Sequence, residues 1–359
     1  MSHPRRFILT CLGLLSLSSA FLIARAQDFQ LRARVDEVEV PISVRDEHGA
    51  LVGGLRKEDF IILEDGKQQE IASFSTDPQP ISAAIILDTA ITGDQLRRFN
   101  LVSGTLMKQF KAIDEFAVYR FDHVVTRLTD FTSNPQNLEK SFDAVKDIAE
   151  TRPPSELGSG VAVGPSPLRW IIDRAQVGTN GAPDRPDRPS TPISPKSGEA
   201  TSTKAPVVSR VLHDAVYMAA VDLEKRPTNR RKIVLLLSNG DVTGENEHSV
   251  GETVGRLYRD GVQVFAVDPE HKVFNHMNLL GSYTRGTGGE VFDGNAIESM
   301  AAGLAQVVDQ ARNQYIIRYR SSNEITNNRP TLRKIDVKFK EKDNKKFKVV
   351  HRQNYMQYP

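Results

Sequence analysis

From Ile81 onward the chain alternates short, continuously apolar runs with segments whose apolar residues recur at helical spacing, and that alternation admits few folds. The runs cover residues 81–87, 116–121, 233–237, 262–267 and 290–292. A strand that is apolar at every position is buried on both faces, which requires a largely parallel sheet with helices above and below it. Between the runs, Phe99, Val102, Leu106, Phe110 and Ile113 repeat at helical spacing, as do Ile297, Met300, Ala301, Leu304, Val308 and Ala311. The expectation is a doubly wound, mostly parallel α/β domain over residues 79–312.

One stretch interrupts this pattern. Residues 152–206 are rich in Pro, Gly, Ser and Thr and contain Pro183-Asp184-Arg185-Pro186-Asp187-Arg188-Pro189, so a mobile surface insertion is expected there. Within it, residues 168–172, with Trp170, have the apolar content to dock as a turn or two of helix.

The α/β pattern is flanked by β-rich segments at 27–78 and 313–359. In the first, Val38-Glu39-Val40-Pro41-Ile42-Ser43-Val44 alternates, and Asp65-Gly66 is a hairpin signal with a return strand expected over 68–75. In the second, strands are expected over 315–319, 335–339 and 347–350, with a turn at Lys342-Asp343-Asn344. Neither flank alone has the strands to bury a core, so the two are expected to pair into one small β-sandwich-like domain with the α/β domain inserted between them.

At the N-terminus, Arg5 and Arg6 precede an apolar run over 7–23 and the small-residue triplet Ala24-Arg25-Ala26. This pattern reads as a secretory signal over residues 1–26, cut near Ala26/Gln27, and predicts a periplasmic or extracellular protein. The chain's one cysteine, Cys11, lies inside that segment, so the mature chain relies on buried apolar surface and hydrogen bonds rather than disulfides.

A formal net charge of +2 gives no global field towards nucleic acid, and none is expected as a partner. The chain lacks a Gly-x-x-x-x-Gly-Lys-Ser/Thr loop, a Gly-x-Ser-x-Gly elbow and a His-Glu-x-x-His helix, so phosphoryl transfer, serine hydrolysis and zinc proteolysis lack their usual supports and no enzyme is expected. His271 and His276 read as exposed loop histidines, and Gly286-Thr287-Gly288-Gly289 as a turn leading into a strand. Cations crowd the C-terminal strands, among them Arg333, Lys334, Lys338, Lys340, Lys348 and Arg352, and predict a basic face with weak attraction to anionic envelope components.

In an open parallel sheet the ligand crevice lies beyond the carboxyl ends of the strands. Two polar sequences follow strands there: Asp88-Thr89-Ala90-Ile91-Thr92 and Ser238-Asn239-Gly240-Asp241. Together with Gly53-Gly54-Leu55, Asp59-Phe60, Glu64-Asp65-Gly66, Leu212-His213-Asp214-Ala215 and Thr287-Gly288-Gly289, their order and spacing resemble the von Willebrand factor type A family, in particular its exported bacterial members with a β-rich segment on each side. The resemblance covers nearly all of the mature chain.

That resemblance implies a divalent cation such as Mg²⁺ at the top of the sheet, held by an Asp-x-Ser-x-Ser loop, a distant Thr and a second Asp, with one position left for a partner's carboxylate. Residue by residue, Asp88, Thr92 and Asn239 fall on metal positions. The pattern is also degenerate: Ala90 stands for the first Ser, Arg210 stands four residues before Asp214 where Thr is usual, and Asn239 replaces the second Asp. Ser209 and Asp241 offer alternative oxygens. A guanidinium at Arg210, if it points at Asp88, takes the cation's place as an internal pair.

The bland readings are that Thr92 caps the helix starting near Gly93 and that Asp214 is a hydrogen-bonded structural residue. The implied function is protein recognition or adhesion through a crevice formed by Asp88, Thr89, Thr92, Arg210, Asn239 and Asp241. The alternative is an envelope scaffold in which the flanking β-domain makes the contacts.

Overall fold

A computed structural model describes residues 37–151, 210–270, 277–324, 329–340 and 347–359. The expected signal segment, the 152–206 insertion with Trp170, His271 and His276, and the Lys342-Asp343-Asn344 turn lie outside the described residues.

The central sheet has six strands in the order β10-β9-β8-β5-β6-β7. They are β5 (Ile81–Asp88), β6 (Glu115–Phe121), β7 (Val125–Thr132), β8 (Arg231–Leu237), β9 (Gln263–Asp268) and β10 (Val291–Asp293). All neighbours pair in parallel except β6 and β7, which are antiparallel. The helices are α1 (Gly93–Gln109), α2 (Pro135–Thr151), α3 (Leu212–Glu224), α4 (Val250–Asp260), α5 (Met277–Thr287) and α6 (Ile297–Arg312).

Strand β5 shows why the sequence demanded this arrangement, since all eight of its residues are buried. Side chains alternate across a strand. Ile81, Ala83, Ile85 and Leu87 accordingly join the core formed with Leu96, Phe99, Leu138, Phe142, Met300 and Leu304 of α1, α2 and α6. Ala84 and Ile86 join the opposite core, with Leu212, Val216, Leu257, Leu280 and Tyr283 of α3, α4 and α5. The expected fold class is what the chain adopts.

Helix α1 departs from its predicted length. It stops at Gln109 with Phe110 as C-cap, and Ile113, the last residue of the expected apolar stripe, is 58% exposed.

The flanking segments form two antiparallel sheets, and each takes strands from both ends of the chain. One has the order β13-β1-β11-β4 and the other β14-β12-β2-β3. From the N-terminal side come β1 (Glu37–Arg45), β2 (Phe60–Glu64), β3 (Lys67–Gln69) and β4 (Ile71–Ser75), with a single 3-10 turn at Lys57–Asp59. From the C-terminal side come β11 (Tyr315–Arg320), β12 (Thr331–Phe339), β13 (Lys348–His351) and β14 (Asn354–Gln357). Val40, Ile42, Phe60, Ile62, Ile317, Tyr319 and Ile335 share one core between the sheets.

The Asp65-Gly66 turn joins β2 to β3 with φ of 51° and 82°, the left-handed pair that a two-residue hairpin requires. The return strand predicted over 68–75 is instead broken at Glu70. β3 pairs with β2 in one sheet, whereas β4 pairs with β11 in the other, so this short run turns a corner of the sandwich.

Candidate functional site

Asp88 ends β5, the strand on which the central sheet is built, and is fully buried. Its Oδ1 accepts from the Ala90 backbone N–H at 2.9 Å, and its Oδ2 accepts from the Ser238 hydroxyl at 2.7 Å. Burial raises its carboxyl to a pKa of about 6, opposed mainly by the positive charge of Arg210 and then by the Ser238 hydrogen bond. Thr89 turns its hydroxyl to the Phe121 carbonyl at 3.0 Å, tying the loop to the end of β6. Thr92 is the N-cap of α1: its Oγ1 accepts from the Gln95 N–H, and the Gln95 side chain accepts from the Thr92 N–H at 2.9 Å.

Arg210 is buried and reaches into this end of the sheet. Its backbone N–H donates to the Thr243 carbonyl at 2.7 Å, which fixes it against the loop after β8. Its Nη1 donates to Asp241 Oδ2 at 2.8 Å and to Asn239 Oδ1 at 3.2 Å, and its Nη2 donates to the Ala90 carbonyl at 2.9 Å. The guanidinium thus lies among the loops that follow β5 and β8, as proposed for a stand-in cation. Its ion pair, however, is with Asp241. Asp88 is fully buried and its oxygens accept from the Ala90 N–H and the Ser238 hydroxyl, whereas Asp241, with 29% of its side chain exposed, takes the guanidinium on the same Oδ2 that accepts from the Asn239 amide.

The structure therefore brings Asp88, Arg210, Asn239 and Asp241 together and gives the Thr92 hydroxyl to a helix cap. It adds two residues that the sequence did not single out. The Asn239 amide donates to Asp241 Oδ2 and to Glu270 Oε1, each at 3.0 Å, and the Gln95 amide donates to the same Glu270 oxygen at 3.0 Å. Glu270 sits two residues beyond β9, a position whose only sequence signal was its place after a strand end.

Asp214 accepts from the backbone N–H groups of Glu247 and His248 at 2.9 and 2.8 Å and from the His248 ring. That ring stacks on Tyr217 at 3.7 Å between centroids. Asp214 thus anchors the loop before α4.

This donor set does not suit a divalent cation. A hard dication needs several free oxygens, preferably ionised. Here Ala90 offers no side-chain oxygen, Asn239 is neutral, the oxygens of Asp88 accept hydrogen bonds, and a permanent cation already lies between the loops. Among the described residues no cluster of three or more His, Cys, Asp or Glu side chains has metal-binding geometry.

A mostly parallel sheet covered by helices on both faces, whose crevice is walled by the loops after β5 and β8, is the architecture expected from the sequence, and the antiparallel edge strand β7 adds to it. The fold is of the von Willebrand factor type A kind. Solved structures similar to this chain include an aerotolerance-related membrane protein from Bacteroides fragilis, 12% identical, covering 64% of this chain and 99% of that one with a TM-score of 0.35. A von Willebrand factor type A protein from Catenulispora acidiphila is 7% identical, covers 89% of this chain and 75% of that one, and has a TM-score of 0.39. Proximal thread matrix protein 1 of the mussel byssus, with a zinc-occupied MIDAS motif, is 13% identical, covers 67% and 49%, and has a TM-score of 0.33. No family model matches the chain. No curated protein matches it either.

Several of the C-terminal cations among the described residues are paired or turned inward. Arg333 donates to Asp65 and Gln357, Lys348 pairs with Glu290, and Arg352 turns inward to the Tyr258 carbonyl. Lys338 and Lys340 remain exposed.

Proposed function

We propose that the chain is an exported recognition module of the von Willebrand factor type A kind that binds a protein partner at the carboxyl end of its central sheet without a resident divalent cation. The observation that carries this reading is the Arg210 guanidinium held by Asn239, Asp241 and the Ala90 carbonyl, where the family resemblance puts a metal. In that family the cation supplies fixed positive charge for a partner's carboxylate, and a guanidinium supplies the same charge permanently. Asp241, Thr92 and Thr243 are partly exposed beside it and would form the contact rim. No nucleophile, base and orienting acid are assigned to this crevice, and the module works by binding rather than by turnover. Export rests on the N-terminal sequence pattern.

The test is partner capture from the envelope fraction of the source cells, run with Mg²⁺ and with chelator, alongside thermal melts in the same buffers. Capture that survives chelation, is lost in a rim variant that adds negative charge and keeps its cooperative melt, such as Thr243→Glu, and is accompanied by no metal-dependent rise in Tm is the expected result. Capture that needs Mg²⁺ would overturn the metal-free reading. Capture that ignores the rim variant would leave the scaffold role, with the β-sandwich making the contacts.

A further inference from the structure

At the opposite end of the central sheet, where β8 and β9 begin, a cavity of about 70 Å³ lies between the α/β unit and the sandwich strands. Its polar lining is Glu39, Arg231, Tyr258, Gln263, Thr287 and Arg352. Arg231 is 5% exposed, and its Nη1 donates to Glu39 at 3.1 Å. Arg318 holds the other oxygen of the same carboxylate at 2.6 Å. Arg352, half-buried, donates to the carbonyls of Asn354 and Tyr258, and no carboxylate among the described residues ion-pairs with it. Two guanidinium groups therefore share one carboxylate, and the third, Arg352, lines the same cavity without contacting it. The carbonyl from the last turn of α4 offsets part of the excess at Arg352, since a helix C-terminus carries about half a negative charge.

Two buried atoms on the cavity wall have no hydrogen-bond partner among the described residues, and they are of opposite kind. Arg231 Nε is a donor and Gln263 Oε1 is an acceptor. The orientation of the Gln263 amide is fixed, because its Nε2 donates to the Gly288 carbonyl at 3.2 Å. A ligand that completes this wall must bring negative charge, accept from Arg231 and donate to Gln263. At roughly 10–15 Å³ per water-sized group, the cavity holds about five, the heavy-atom count of a tetrahedral oxyanion. Sulfate has no proton to give Gln263 at neutral pH, whereas hydrogenphosphate has one.

We propose that this cavity is a binding site for a small protonated oxyanion, of which hydrogenphosphate is the type. The excess charge draws the anion and Arg231 orients it. Its P–OH donates to Gln263, and the ligand then ties the sandwich to the base of the α/β unit. Burial lowers Arg352 to about 10, which leaves it charged at neutral pH and able to hold an anion.

The test is a set of thermal melts of the full chain at pH 7 in phosphate, sulfate and chloride at matched ionic strength. The expected result is a rise in Tm that grows with phosphate concentration, a smaller rise with sulfate and none with chloride, with the phosphate rise lost in Arg352→Met. Equal rises with phosphate and sulfate, no rise with phosphate, or a rise unchanged in Arg352→Met would overturn it. If Arg352→Met does not fold, diffraction at the arsenic edge from wild-type crystals grown with arsenate decides the matter. A peak between Arg231 and Arg352 supports the site, and water alone there refutes it.

Discussion

Arg210 Nη1 lies 2.8 Å from Asp241 Oδ2, and this pair closes the carboxyl end of the central sheet. Removing the cation takes the guanidinium bonds from Asp241, Asn239 Oδ1 and the Ala90 carbonyl together, although Asp241 Oδ2 keeps the Asn239 amide and Asn239 Oδ1 keeps the Asp241 N–H. Arg210→Ala should therefore destabilise the fold by about 2–3 kcal/mol in urea unfolding, and Asp241→Asn by less, because the amide still accepts from the guanidinium.

The same geometry predicts how metal binding is regained. Ala90→Ser, Arg210→Thr and Asn239→Asp together replace the permanent cation with three oxygens and restore the family's ligand pattern around Asp88. The triple variant should show an Mg²⁺-dependent rise in Tm that the wild-type chain lacks, and a flat response would mean that the loops themselves are misplaced for a dication.

Asp88 sets a pH dependence whose sign follows from its burial. Its folded pKa is about 6 against an ordinary value of 3.8, so the native state holds the proton to higher pH than the unfolded chain does. Stability from this group falls as pH rises through that window, and the penalty is present in full above it. Asp88→Asn is neutral throughout and keeps an acceptor for the Ala90 N–H. Relative to wild type it should gain up to about 3 kcal/mol at pH 8 and little at pH 4, as read from urea midpoints at the two pH values.

In the sandwich, the fully buried Glu64 gathers four neutral donors. Tyr319 and Tyr355 donate to Oε2 at 2.7 and 2.9 Å, and Ser321 and Asn323 donate to Oε1 at 2.6 and 2.8 Å. Glu64→Gln turns one acceptor into a donor facing other donors and should cost about 2–3 kcal/mol, whereas Tyr355→Phe, which removes one donor of four, should cost about 1 kcal/mol.

Gly289 has no room for a side chain, because a Cβ there would lie 1.8 Å from the Val264 carbonyl oxygen, a backbone atom of β9. Gly289→Ala must push the α5–β10 turn off the sheet and should cost about 3 kcal/mol, lowering Tm while the crevice residues stay unchanged.

The inner strands of the central sheet were legible because burial on both faces makes most of their positions apolar. β7 was not, for the opposite reason. As an antiparallel edge strand it is half-exposed along its length, and its sequence, with Thr126, Arg127, Thr129 and Asp130, reads as loop. β14, at Asn354–Gln357, is too short and polar to announce itself.

At the crevice, the spacing of Asp88, Arg210 and Asn239 located the right loops. It could not choose between Asp88 and Asp241 as the partner of Arg210, since that choice depends on where the folded loops place each carboxylate. Glu64 was hidden by its neighbour: next to Asp65-Gly66 it reads as part of a turn, although its side chain points into the core.

The interleaved sandwich also constrains the order of events in folding. Ile42 on β1 pairs with His351 on β13, and Ile62 on β2 with Val337 on β12, so β1 and one edge of β2 wait for strands from the far end of the described chain. Closing so long a loop is entropically slow. The α/β unit can collapse on its own contacts beforehand, which leaves β1 and the open edge of the β2–β3 hairpin to be kept from association until the C-terminal strands arrive. A chain cut short before β11 would thus keep most of its helices and still be the aggregation-prone form.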